Sequence, residues 1–467
     1  MRSVSGGAFL GWTALITAFF AALDQWEAGA AAGIAARAAV LLLIALAMLR
    51  VRLTGRVFGL VGLALVAWAL VSRDDWAALT ASALASAAFV AGLFVALAWL
   101  RNAAATSRAT AEAGLYLAEQ PPGRRYLALT LGGHLFALVL NYGAIQLLGA
   151  LAGSSSAREP NEEVRTIRLR RMLLAIHRGL VATLCWSPLT FSIAITTALI
   201  PGASWTAALP YCLVSAALFA GIGWAMDTIF KPKLSGPRPP PQHPHGTWRT
   251  LWPLGVLLGV LLSIIGVLQA ATGLRAIAVV MVVVPIVSLG WMAAQGRRRH
   301  RVLAFLGVRV RRFVTRDLPG YRSELVLLMM AGFIGTLGSG LLAPHVDEGA
   351  LDLTAIPPWL LLTGLVWLIP LTGQIGMNPI LSVSLIAPLL PPAEALGLSP
   401  TSLVIAITGG WALSGASSPY TATTLLVGSF GGLSAHRVGL RWNGAYTLVT
   451  GTAVCAWAVL LGEVLLA

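Results

Sequence analysis

Stretches of roughly 20 consecutive apolar residues recur along this chain, each long enough to cross a hydrocarbon layer of ~30 Å as a helix. Composition agrees. Of 467 residues, 57% are hydrophobic and only 10% are charged, where a soluble domain carries about 25% charged residues. The predicted class is an all-α polytopic membrane protein. The N-terminal segment MRSVSGGAFLGW runs straight into a span and shows no small-residue cleavage site, so it is expected to be retained.

Spans are predicted at about 8–26, 32–49, 56–72, 76–100, 172–200, 203–227, 251–270, 274–294, 323–343, 401–430 and 443–466. Two longer apolar stretches, 126–152 and 357–391, stand apart. The segment KPKLSGPRPPPQHPHGTWR at 231–249 is polar, and its proline run cannot form a helix. It reads as an exposed cytoplasmic linker, 231–250, between an N-terminal half, 1–230, and a C-terminal half, 251–467. Cys185, Cys212 and Cys455 lie inside apolar runs without CxxC spacing, which predicts buried thiols rather than a disulfide or metal site.

A net charge of +15 raises the question of a nucleic-acid partner, and its distribution answers it. With the N-terminus in the cytoplasm, alternate loops collect every Lys and Arg except Arg37, Arg73, Arg178 and Arg275, as the positive-inside tendency requires. The charge is topological, and no nucleic acid is expected. The count holds on one condition. Stretch 126–152 has Arg124 and Arg125 before it and Arg165–Arg171 after it. A single crossing puts one of these clusters outside, so the stretch is predicted to enter and return as a re-entrant hairpin with its tip near Asn141. Stretch 357–391 lacks flanking positive charge and is predicted to be a second hairpin, entering from outside, with its tip near Asn378. Residues 302–316 alternate basic and apolar positions and read as a surface helix on an anionic leaflet.

Two of the spans are poor helices in their middles. Residues 409–422, GGWALSGASSPYTA, match 178–191, RGLVATLCWSPLTF: Gly410 with Gly179, Ser418 with Ser187, Pro419 with Pro188, Thr421 with Thr190. A proline offers no N–H and clashes with the carbonyl four residues back, so an ordinary helix opens there. Interrupted spans at corresponding places in two halves point to a transporter binding site. Each half then carries three spans, a hairpin, an interrupted span and a closing span, in opposite orientations. Span 8–26 is an N-terminal extra. About 11 transmembrane helices and two re-entrant hairpins result, in an inverted-topology repeat.

This arrangement resembles the ion transporter superfamily, which includes the divalent anion:sodium symporters and arsenite-antiporter relatives. The resemblance spans nearly the whole chain in topology. In sequence it rests on Asn141 and Asn378, on Ser187-Pro188-Leu189-Thr190 and on Ser418-Pro419-Tyr420-Thr421. Sodium-coupled members carry Ser-Asn-Thr at each hairpin tip. Here the triplets are Leu140-Asn141-Tyr142 and Met377-Asn378-Pro379, which keep the asparagine and not the hydroxyls. The resemblance implies an elevator mechanism, a homodimer and location in a bacterial-type inner membrane.

The candidate substrate- or ion-binding residues are Asn141, Ser187, Pro188, Thr190, Gln374, Asn378, Ser417, Ser418, Pro419 and Thr421. Asparagine offers both a donor and an acceptor. Half-helix N-termini suit an anion and opened carbonyls suit a cation. Capping and back-bonded kinks are the competing structural roles. His134, His177 and Arg178 are candidate anion or proton contacts; a satisfied histidine or an arginine snorkelling to the interface are the alternatives. Asp24, Asp227 and Glu463 read as interfacial. No nucleophile–base pair, P-loop or clustered metal ligand is seen, and no resident cofactor is expected. The predicted function is secondary active transport of a small anion, a carboxylate or inorganic oxyanion, driven by H⁺ or with Na⁺ as the coupling ion. A membrane-embedded enzyme acting on a lipid-linked substrate and an uncoupled pore or scaffold subunit are the alternatives.

Overall fold

The computed structural model describes residues 2–51, 53–232, 234, 246–297, 302–345 and 352–466. The proline run of the linker, Arg52, Lys233, Arg238, Arg298, Arg299, Arg301, Asp347 and Glu348 lie outside the described residues. Among the described residues every regular element is helical. In chain order these are α1 (Arg2–Gln25), α2 (Ala30–Met48), α3 (Leu53–Ser72), α4 (Trp76–Ala105), α5 (Arg108–Ala118), α6 (Pro122–Leu140), α7 (Gly143–Ala157), α8 (Glu162–Thr183), α9 (Phe191–Leu199) and α10 (Trp205–Ile229). After the linker come α11 (Trp252–Thr272), α12 (Ala276–Gln295), α13 (Val302–Arg312), α14 (Leu318–Gly320), α15 (Arg322–His345), α16 (Pro358–Gln374), α17 (Pro379–Ile386), α18 (Pro400–Ser417), α19 (Ala422–Gly431) and α20 (Gly444–Leu460).

Nine of the described helices are long and apolar enough to cross a membrane: α1 to α4, α10 to α12, α15 and α20. The two segments expected to be interrupted spans are the helix pairs α8–α9 and α18–α19, each broken at its Ser-Pro. The chain is an all-α polytopic membrane protein. Most boundaries follow the apolar runs to within a few residues; α8 starts ten residues before the predicted 172, because its first turns, Glu162–Arg171, are rich in charge. Helix α5 was not foreseen; it is short and less apolar than a span, and such amphipathic pieces carry no length signal. Helix α13 keeps Leu303 and Val308 exposed beside exposed Arg311 and Arg312, in keeping with a surface position.

The chain divides into two compact units. One comprises Met1–Ala103, Ser263–Ala355 and Ile380–Pro391; the other comprises Ala104–Leu262, Ile356–Pro379 and Pro392–Ala467. Each draws on both halves of the sequence. In the first unit α1 packs on α2 and α12, and α3 on α15. The Trp26 indole N–H donates to the Ala278 carbonyl at 2.7 Å. An apolar cavity of about 620 Å³ lies beside it, lined by Phe19, Trp26, Trp99, Met281, Pro285 and Ile286 among others.

The second unit holds both interrupted spans, and its packing is reciprocal. Helix α6 lies on α8, and α16 on α18; α10 lies on α8, and α20 on α18. The short half α9 packs on α18, and the short half α19 packs on α8. The pair α6–α7 turns back on itself through Asn141 and Tyr142. Its open ends meet: Arg158, just past α7, reaches Glu119, just before α6, at 3.7 Å. Helices α6 and α7 thus fold back on each other over 122–157, around the stretch 126–152. The pair α16–α17 is joined by the four residues Ile375–Asn378. The three cysteines are buried and free.

Candidate functional site

Proline has no N–H, so each interrupted span must replace the lost helical bonds locally. Both do so in the same way. At the first break the Ser187 N–H donates to Thr183 at 3.0 Å and the Thr190 N–H donates to Ser187 at 3.1 Å. The Ser187 hydroxyl accepts from the Leu189 N–H at 3.2 Å, and the Thr190 hydroxyl donates to the Ser187 carbonyl at 2.7 Å. At the second break Ser418 bonds Ser414 and Thr421 bonds Ser418 through the backbone. The Ser418 hydroxyl accepts from the Tyr420 N–H at 3.3 Å, and the Thr421 hydroxyl donates to the Ser418 carbonyl at 3.0 Å. Ser-Pro-x-Thr is therefore one turn built twice, and Thr190 and Thr421 start α9 and α19.

The matched glycines have a shared role too. A Cβ on Gly179 collides with the Thr130 carbonyl of α6. A Cβ on Gly410 comes within 2.7 Å of the Val366 carbonyl of α16. Each glycine admits the backbone of a hairpin arm against an interrupted span, a close approach that larger residues forbid.

Individual carbonyls at both breaks are capped. The Gly415 carbonyl accepts from His177 Nε2 at 3.0 Å and from the Thr423 hydroxyl at 2.5 Å. Thr424 donates to the Ser418 carbonyl at 2.6 Å, and Ser418 itself donates to Gly373 of α16 at 2.6 Å. At the first break Trp205 Nε1 donates to the Trp186 carbonyl at 2.8 Å. The first turns of α9 and α19 have no side-chain cap from Thr190 or Thr421. Their leading N–H groups have no carbonyl partner within the helix and carry the positive end of its dipole.

The two histidines are held as neutral rings by their partners. Trp186 donates its indole N–H to His134 Nε2 at 2.9 Å, so Nδ1 carries the proton that faces the Gly179 carbonyl at 3.1 Å. In His177, Nε2 faces the Gly415 carbonyl and so bears the proton, while Nδ1 faces the Asn443 amide nitrogen at 3.3 Å. These tautomers follow from which partners can only donate or only accept.

Arg178 is 5% exposed. Its guanidinium donates to Asn443 Oδ1 at 3.1 Å, Tyr126 Oη at 2.9 Å and the Gly223 carbonyl at 3.3 Å, and lies 4.3 Å from the centre of the Tyr446 ring. Among the described residues no carboxylate forms an ion pair with it. It is a buried positive charge held by neutral acceptors.

The candidates from the second half come together. Gln374 donates to the Ser417 hydroxyl at 3.4 Å, and Gly376, at φ 94°, faces the Tyr420 ring. Tyr420 is 62% exposed, Pro419 and Thr421 are half-buried, and Asn378 is half-buried at the start of α17. The first break is closed: Ser187, Pro188 and Thr190 are buried. Asn141 sits at the tip of the first hairpin at φ 51° and ψ −129°, half-buried, in a region that costs a non-glycine residue ~1–3 kcal/mol. Asp227, near the end of α10, chelates Arg171 at 2.8 and 2.6 Å. Asn443, Tyr126, Tyr446, Trp186 and Trp205 were not foreseen. Trp186 adjoins the Ser-Pro motif and could have been flagged by that; Asn443 follows a basic loop and carries no sequence signal.

Paired interrupted helices, one seated on α6 and the other on α16, define the second unit of this membrane protein. In overall fold the chain is similar to the Alcanivorax borkumensis YdaH transporter, at 16% identity over 78% of this chain and 84% of that one, with a TM-score of 0.49. It is similar also to Neisseria gonorrhoeae MtrF, described as illuminating a class of antimetabolite efflux pumps, at 14% identity over 80% and 81%, with a TM-score of 0.47. No family model and no curated protein matches the chain.

Proposed function

We propose that this protein is a secondary active transporter of a small anion, a carboxylate or inorganic oxyanion, driven by an H⁺ or Na⁺ gradient. The observation that carries the reading is the polarity of the two breaks. At the breaks the carbonyls of Trp186, Gly415 and Ser418 accept from Trp, His and Thr donors, while the first turns of α9 and α19 are left without side-chain caps. Such sites present N–H groups, and N–H groups at a helix start favour anions. Arg178 adds a fixed positive charge one residue from His177, which itself holds α18 one turn before its break.

In this reading Asn141, Ser187, Pro188 and Thr190 shape one side of the site. Gln374, Asn378, Ser417, Ser418, Pro419 and Thr421 shape the other, with access past the exposed Tyr420. His134, His177 and Arg178 act from behind it, as supports and as a source of positive field. The elevator mechanism, the homodimer, the inverted repeat of halves 1–230 and 251–467, and a cytoplasmic N-terminus in the inner membrane belong to the same proposal. The superfamily resemblance and the arginine distribution support them.

The test is anion uptake into proteoliposomes under an imposed pH or sodium gradient. Uptake is expected in the wild type and lost in Asn378→Ala and in Ser418→Ala, with both variants still folded by size-exclusion chromatography. Wild-type rates in both variants overturn the site. Flux that persists after both gradients are collapsed makes the protein a pore.

A further inference from the structure

The open end of the first hairpin concentrates charge that transport does not use. Arg125, in the first turn of α6, is 8% exposed. Its Nε donates to the Gln120 carbonyl at 2.7 Å. Helix α8, against which α6 packs, presents Arg168 and Arg171 three residues apart on one face. Arg168 is also 8% exposed and donates to the Ser155 hydroxyl at 2.7 Å, near the end of α7.

The neighbouring arginines have carboxylates. Arg171 chelates Asp227, Arg158 reaches Glu119, and Glu159 bears on Arg168. Among the described residues no carboxylate forms an ion pair with Arg125. Burying a guanidinium with a carbonyl as its acceptor and no paired carboxylate is costly unless an anion completes the set. Arginine forks match the oxygens of a phosphate group.

We propose that Arg125 and Arg168 form a phosphate-binding site at the base of the first hairpin, occupied by the headgroup of an anionic phospholipid. The next two turns of α6 expose Leu127 at 40% and Leu131 at 58%. A lipid held by its phosphate at Arg125 thus has an apolar strip for its chain, which a free phosphate does not need. Basic pockets between membrane helices take anionic headgroups on the same grounds.

The full-length protein, purified in detergent, is titrated in separate arms with phosphatidylglycerol, phosphatidylcholine and inorganic phosphate, and its thermal midpoint is followed. A ligand that binds the folded state raises it. Phosphatidylglycerol is expected to raise the midpoint of the wild type and of Arg124→Gln, an exposed neighbour with the same change in charge. The rise is expected to be lost in Arg125→Gln. Phosphatidylcholine and inorganic phosphate are expected to leave the wild type unmoved. A rise with inorganic phosphate equal to that with phosphatidylglycerol overturns the lipid as occupant. A rise with phosphatidylglycerol that survives in Arg125→Gln overturns the site. Should Arg125→Gln fail to fold, Arg168→Gln serves in its place, with the same loss expected and an undiminished rise again overturning the site.

Discussion

The Ser418 hydroxyl donates to the Gly373 carbonyl at 2.6 Å and accepts from the Tyr420 N–H at 3.3 Å. One oxygen thus holds the second break open and fastens it to α16. Ser187, its counterpart, serves the break alone through Leu189. There the hairpin arm is fastened by His134, which stands between the Gly179 carbonyl and the Trp186 indole. The two halves use the same turn and different ties.

That asymmetry separates two alanine variants. Ser418→Ala removes one donor from the buried Gly373 carbonyl, which keeps the Gly376 N–H at 3.3 Å, and leaves the Tyr420 amide unserved, at up to about 1–3 kcal/mol for a fully buried group. Ser187→Ala leaves one amide. Thermal unfolding in detergent is expected to show the larger drop for Ser418→Ala. Equal midpoints contradict the tie to Gly373.

Gly179→Ala and Gly410→Ala force the hairpin arms away from the interrupted spans. Overpacking of this kind costs about 1–3 kcal/mol. Both variants are expected to unfold at lower temperature, whereas Gly290→Ala, where a Cβ meets nothing within 4 Å, is expected to match the wild type. A neutral Gly410→Ala removes the packing argument for the matched glycines.

Asn141→Gly should dissociate stability from transport. Glycine relieves the positive φ at the first hairpin tip and is expected to raise the thermal midpoint, the strain of ~1–3 kcal/mol outweighing glycine's extra chain entropy. It also deletes the amide proposed to meet substrate, so uptake is expected to fall. Full uptake in this variant leaves Asn141 as a turn residue only.

Arg178→Lys keeps the charge and loses the fork. An ammonium cannot serve Asn443, Tyr126, Gly223 and the Tyr446 ring together. A loss of about 2 kcal/mol is expected from denaturant unfolding, with anion uptake reduced rather than its preference reversed. Unchanged stability means that the neutral acceptors around Arg178 do not hold it.

The sequence by itself determined the class of this protein, the placing of its spans and the two points at which they break. Run length, proline and arginine report on bonds within a segment and on contact with lipid or water, and those are local. Asn141, Ser187 and Ser418 stood out for this reason. Only the tertiary structure decided what faces them. His177 meets Gly415 across 238 residues and Arg178 meets Asn443 across 265, and α5 was invisible because it neither spans nor alternates. Nor could the sequence say that the carbonyls at the breaks are capped, because Trp205, Thr423 and His177 find them only after the helices pack. Periodicity fixes which residues leave water; which of them meet depends on how whole helices cross.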